Sequence, residues 1–199
     1  MRQETGSSIP NNRVLSIQLR LDGVSFSVDS YRNIDQSRPI HLLSHRTMLS
    51  PASQVESLGA EAVIREGGIT LSSNDKIISI PREQNVALIV LSNDRYNQIL
   101  DTFGEDAPFT SPILRTALNG DSHLIIYCAQ GLTYINMYSS ECMLLSEVFL
   151  SPTLNDTLYW LSRIGEAIPL DDYTIYVANS DRKTADFLIK YYPNIELCE

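Results

Sequence analysis

The chain has 199 residues, 43% hydrophobic and 20% charged, with a formal net charge of −9. That length supports one large domain or two small ones with real cores. The acidic balance argues against nucleic acid as a main partner, and no apolar run approaches the roughly 20 residues that span a bilayer.

The first residues, MRQETGSSIPNNR, are polar and lack the apolar centre of a signal peptide. The expectation is a short disordered tail over 1–12, a cytoplasmic protein and no membrane partner. RVLSIQLRLDGVSFSVDS (13–30) then alternates, breaks at Asp22-Gly23 and alternates again, which predicts a hairpin with an Asp-Gly turn. PIHLLSHRT (39–47) predicts a third strand. Leu49-Ser50-Pro51 follows, with Ser50 as a helix N-cap and Pro51 at the first helical position, so a helix is expected over 51–65.

Ile69-Thr70-Leu71 reads as a short strand ending in the polar turn SSND. KIISIP (76–81) and VALIVLS (86–92) read as strands, and a helix follows from Asn93 to about Phe103. The stretch 104–122 is rich in Pro and Gly, with a short helix expected at 111–118.

DSHLIIYCAQGLTYINMYSS (121–140) is a second hairpin, turning at Gln130-Gly131. MLLSEVFL (143–150) is the next strand. Leu150-Ser151-Pro152 repeats the helix-start tripeptide and predicts a helix over 152–166. Leu154, Leu158, Leu161 and Ile164 form its apolar stripe, with Trp160 near the edge. A strand at 175–177 ends in ANSD, and Ser180 is expected to cap a last helix that Pro193 stops.

The two halves therefore run in parallel. Gly23 falls on Gly131, Ile17 on Ile125, Ser25 on Thr133 and Phe26 on Tyr134. The ordered series of hairpin, third strand, Leu-Ser-Pro and strand ending in a polar turn indicates duplication of one supersecondary plan. The domain reading is a subdomain over 13–105, a connector over 106–118 and a second subdomain over 119–199.

Side chains able to do chemistry are few. Cys128, Cys142 and Cys198 are odd in number and lack CxxC spacing, so free buried thiols are expected rather than disulfides or zinc ligands. His41 and His45 are four residues apart, but on a strand that separates them by about 13 Å, which does not suit metal binding. Cys128 lies mid-strand in an apolar run, where a thiolate is disfavoured. No GxSxG, Walker or GxGxxG motif occurs.

Arg2, Arg13, Arg20, Arg32, Arg38 and Arg46 make residues 1–50 basic, at +2, against −11 for the remainder. They are read as solvated strand faces, or else as a surface for an anion or acidic partner. The ten tyrosines suit packed sheet faces, with a share available to an interface.

A duplicated β-β-β-α-β-α, ribonuclease-H-like plan is that of the actin-like ATPase superfamily, which includes sugar kinases, actin and heat-shock chaperones. The chain resembles a compact, degenerate α/β member. More narrowly, through LSIQLRLDGVSFSV and LIIYCAQGLTYINMYSSECMLLSEVFL, it resembles an uncharacterised bacterial family found largely in Bacteroidetes that carries this fold. The pattern covers roughly 13–195 and is weakest over 50–120.

Active members of the superfamily place an Asp two residues before the turn glycine of the first hairpin. It organises Mg²⁺, while the turn N–H groups cradle phosphate. Here that position is Leu21, and Asp22 lies one residue on, facing the other side of a strand. The second hairpin of active members carries Asp and then a glycine-rich turn. Here Cys128, Ala129, Gln130, Gly131 and Leu132 stand there, and Leu132 is expected to crowd a phosphate. The adenosine-contacting strand end is represented by Ala178, Asn179 and Ser180, with no glycine.

The resemblance therefore implies the remains of phosphate-binding hairpins at Arg20, Asp22, Gly23, Ser25, Gln130, Gly131, Thr133, Asn179 and Ser180. It implies no catalytic residue, no metal ligand, and no ATP or Mg²⁺ requirement. The expected role is protein binding or scaffolding, as a homodimer or within an assembly. The alternative is a sensor that binds nucleotide or another anion without hydrolysing it.

Overall fold

A computed structural model describes residues 16–20, 23–27, 39–106, 108–118, 122–140 and 142–198, with the backbone alone at 16–20, 23–27 and 180. The chain divides into two units between residues 38 and 39.

In the first unit, β1 (Ser16–Arg20) pairs antiparallel with β2 (Gly23–Ser27). The hairpin forms as expected, but Gly23 is not in its turn. It is the first residue of β2, opposite Arg20. Asp22 lies outside the described residues, as do the expected tail and the arginines at 2, 13, 32 and 38.

The second unit is built on a five-stranded sheet and a three-stranded sheet. The larger sheet has β8 (His123–Ala129) at its centre, where a near-continuous apolar run suits a strand covered on both faces. β8 pairs antiparallel with β9 (Leu132–Ser139), and β9 with β10 (Cys142–Leu150). On its other side β8 pairs parallel with β11 (Thr174–Val177), and β11 with β12 (Ile195–Leu197). A parallel neighbour requires a crossover. Helix α4 (Leu154–Ala167) supplies the one from β10 to β11, and α5 (Arg182–Leu188) the one from β11 to β12. Helix α4 and the strands before and after it follow the expected plan, and β12 is an added strand.

Strand alternation divides the core. Leu124, Ile126, Ile135 and Met137 face one way, onto Leu161 of α4 and Ala185 and Leu188 of α5. Leu158 and Ile164 extend the same helical stripe. Ile125, Tyr127, Tyr134 and Tyr138 face the other way, onto Leu43, Ala87, Ile113 and Leu114. Trp160, at the stripe's edge, stacks on Phe149 at 4.6 Å and donates its indole N–H to the Leu150 carbonyl.

The smaller sheet has the order β4 (Thr47–Pro51), β6 (Asn85–Ser92), β5 (Asp75–Arg82), antiparallel throughout. One face of β6, through Val86, Leu88 and Val90, meets Val63 and Ile64 of α2 (Ala60–Glu66). α2 follows α1 (Ala52–Leu58) after Gly59, whose φ of +83° breaks the single helix expected there. The third helix, α3 (Asn93–Phe103), begins where the sequence places it, with Ser92 accepting from the Arg95 N–H.

Several first-half expectations are corrected. The strand at 39–47 is instead β3 (Ile40–His41), paired with β7 (Phe109–Thr110), followed by β4 from Thr47. Ser50 and Pro51 belong to β4, because the extended backbone at Pro51 (ψ 137°) continues the ladder opposite Asn85. No strand forms at 69–71. The helix expected at 111–118 is one 3-10 turn, Pro112–Leu114. In the second half the caps shift as well: Thr153, not Ser151, caps α4, and Asp181, not Ser180, caps α5.

Candidate functional site

The turn between β8 and β9 needs two residues of positive φ, and Gln130 (53°) and Gly131 (72°) provide them. The Gly131 carbonyl accepts from the Ser151 N–H at 2.7 Å, which holds the turn against the segment entering α4. Thr153 then closes a capping box. Its backbone N–H donates to the Asp156 carboxylate at 2.8 Å, and its hydroxyl accepts from the Asp156 N–H at 3.4 Å. The Asp156 carboxyl is consequently held below its usual range, by its bonds from Thr153. Asp181 does the same work for α5, accepting from the Thr184 N–H at 3.2 Å and from its hydroxyl at 2.5 Å.

These elements line a solvent-open cavity of about 510 Å³. The turn contributes Gln130 and Gly131, the start of α4 contributes Thr153 and Asn155, and the start of α5 contributes Asp181 and Lys183. Phe187 and Pro152 add apolar wall.

Cys128, Thr157 and Thr184 also reach the lining. Thr133 and Thr157 are buried and their hydroxyls lie 2.8 Å apart. The Cys128 thiol is 3.6 Å from Thr133 Oγ1 and 3.9 Å from Thr157 Oγ1. Burial pushes this thiol up, more than its hydroxyl neighbours bring it down, and the Asp181 carboxylate raises it further. The floor is thus neutral: a thiol and hydroxyls that satisfy one another.

The structure gathers some of the expected residues and separates others. Gln130 and Gly131 line the cavity, with Thr133 beneath them. Leu132 does not project over the turn to crowd a ligand. Its side chain packs in the core, 2% exposed. Asn179, with φ 57°, accepts from the Arg115 guanidinium at 3.1 Å beside Tyr127 and is not in the cavity lining. Ser180 ends a 3-10 turn, Ala178–Ser180. Arg20, Gly23 and Ser25 are placed on the first-unit hairpin by their backbone.

Of the basic residues near the N-terminus, Arg46 is committed to a two-pronged pair with Asp75 at 2.7 and 2.8 Å. His45 stands in a bend rather than on the strand of His41. Among the described residues, no group of three or more His, Cys, Asp or Glu could hold a metal ion.

Thr157, Asp181, Lys183 and Thr184 were missed by sequence reasoning. The signals were present as Thr153-x-x-Asp156 and Asp181-x-x-Thr184, two capping patterns hidden behind nearby serines.

No family model and no curated protein matches the chain. The fold matches a solved structure from Bacteroides thetaiotaomicron, described as a protein with actin-like ATPase fold and unknown function. The TM-score is 0.67 at 16% identity, over 96% of this chain and 94% of that one. The class is therefore set by architecture: this is an α/β chain of the actin-like ATPase fold. No helix of the described residues is long and apolar enough to cross a membrane.

Proposed function

We propose that this is a cytoplasmic, non-catalytic protein of the actin-like fold that works by binding or scaffolding other proteins, a second copy of itself included. Two copies of one supersecondary plan would have diverged, and the chemistry would have been lost from both hairpins. The observation that carries this reading is the neutral floor of the cavity. At the position where the resemblance calls for a carboxylate stands Cys128, a thiol pushed up by burial and hydrogen-bonded among threonines. Phosphoryl transfer depends on metal, positioning and charge stabilisation, and the hydroxyl–thiol cluster supplies no charge of its own. The charges in the lining are Lys183 and Asp181, whose carboxylate is taken up by the Thr184 N–H and hydroxyl.

A second reading, a sensor that binds a nucleotide or other anion without hydrolysis, is favoured by one feature. The cavity has Gln130 and Gly131 at its rim and Lys183 as a cation in its lining. Calorimetric titration of the intact protein with ATP, ADP and Mg²⁺, alongside phosphate release, separates the readings. Absence of saturable heat at millimolar ligand supports scaffolding. Saturable binding without turnover supports the sensor, and turnover contradicts both.

A further inference from the structure

Two of the three histidines stand on one short segment, residues 40–46, which leads from the start of the second unit into β4. Little holds it. The Ile40 N–H donates to the Pro108 carbonyl at 2.7 Å and the Leu42 N–H to the Thr110 carbonyl at 2.8 Å. Leu42 and Leu43 are buried. Ser44 grips the Tyr134 hydroxyl from both sides, its N–H donating at 2.9 Å and its carbonyl accepting at 3.2 Å.

Both imidazoles face cations. The His41 ring stacks on Tyr127 (centroids 5.8 Å apart, planes 19° apart), and the Arg115 guanidinium lies 5.8 Å from the centre of the same Tyr127 ring. His41 Nδ1 is buried and has no hydrogen-bond partner among the described residues, so a proton there would have no acceptor. His45, on the outer side, is next to Arg46 and within the field of Arg95 from α3. Asp75 of β5 offsets part of the Arg46 charge through its ion pair, and among the described residues Tyr127 of β8 and Tyr134 of β9 are further titratable groups against the segment.

We propose that residues 40–46 form an acid-sensitive strap. Protonation of His41 and His45 sets new cations against Arg115, Arg46 and Arg95 and loosens the segment while the five-stranded sheet holds. Burial and the arginines lower both imidazoles from the ordinary 6.5. A group so lowered contributes stability that is full above about pH 6.5 and is lost as pH falls below it. At pH 5.5 the loss is limited to about tenfold per histidine in the closed-to-open equilibrium, set by one pH unit below the imidazole's ordinary value.

The test is amide hydrogen exchange of the full chain at pH 7.5 and 5.5, with protection corrected for the pH dependence of chemical exchange. Protection over 40–46 should fall by up to about a hundredfold for the two histidines together, while the peptide 123–138 keeps its protection. His41→Phe with His45→Gln keeps a ring on Tyr127 and should abolish the difference. His45→Gln alone, at an exposed position, should remove part of it and guards against a misfolded double variant. Equal protection at the two pH values, or an unchanged fall in the double variant, would overturn the proposal.

Discussion

Thr133 Oγ1 of β9 and Thr157 Oγ1 of α4 lie 2.8 Å apart, both residues buried. The pair joins sheet to helix directly under the candidate cavity. Removing one hydroxyl leaves the other with only the weaker Cys128 thiol as a partner, which costs about 1 kcal/mol, the lower end for an unsatisfied buried group. Removing both leaves two apolar groups of similar shape. Urea unfolding should therefore show Thr157→Val destabilised by that amount and Thr133→Val/Thr157→Val recovering much of the loss. Additive losses would show that the two hydroxyls are independent.

Cys128 tests the neutrality of the floor. Cys128→Asp would bury a carboxylate near Asp181, with desolvation and like charge both opposing ionisation. An uncompensated buried charge costs about 3–5 kcal/mol. The new carboxyl would titrate high in the folded protein, so its penalty is present at pH 8 and relieved as pH falls. Thermal melts should show Cys128→Ser close to the parent, and Cys128→Asp well below it at pH 8 and nearer at pH 5. A Cys128→Asp variant as stable as the parent at pH 8 would mean that the floor tolerates charge.

Tyr134 ties the strap to β9. Its hydroxyl is satisfied twice by the Ser44 backbone, and burial pushes it far above the usual phenol range. Tyr134→Phe keeps the ring and leaves the Ser44 N–H unpaired, while the Ser44 carbonyl keeps its bond from the Thr47 hydroxyl at 2.8 Å. A loss of about 1–3 kcal/mol is expected in urea unfolding, with faster amide exchange at Ser44. Unchanged exchange there would contradict the clasp.

The Arg46–Asp75 pair sets a separate acid limit. The two-pronged bond to Arg46 holds the Asp75 carboxyl well below its ordinary 3.8, and the Asp75 side chain is 6% exposed. Such a group gives stability that is present above about pH 3.8 and lost as pH falls below it. The difference in unfolding free energy between parent and Asp75→Ala should be constant from pH 7 to 5 and shrink toward pH 2. A gap that stays constant to pH 2 would show that the pair contributes nothing through its charge. This window lies well below that of the histidines, so the two effects separate on one pH series.

The second half was legible because its local signals agree. HLIIYCA and LTYINMYS flank a glycine turn, and Leu154, Leu158, Leu161 and Ile164 keep one helical face. The strands at 76–81 and 86–92 and the helix from Asn93 were legible for the same reason. The first half was not, because two local rules gave way to pairing. Ser50-Pro51 looks like a helix start, yet β6 offers a ladder, and Pro51 at the strand's end keeps an extended backbone. Matching Gly23 to Gly131 also fails in position, since one opens a strand and the other sits in a turn. Alternation alone does not fix register to one residue. For the site, sequence located the turn at Gln130-Gly131 and Thr133 beneath it, but not Thr157 and Thr184. Thr157 and Thr184 come to Cys128 only through the packing of α4 and α5 on the sheet.

Phosphate release by the intact protein with millimolar ATP and Mg²⁺ bears most directly on the proposed loss of chemistry. A cavity floored by Cys128 and Thr157, with Thr133 buried behind them, should release none above the uncatalysed background. Steady turnover that disappears on Asp22→Ala would contradict the non-catalytic reading and return the first hairpin to a working role.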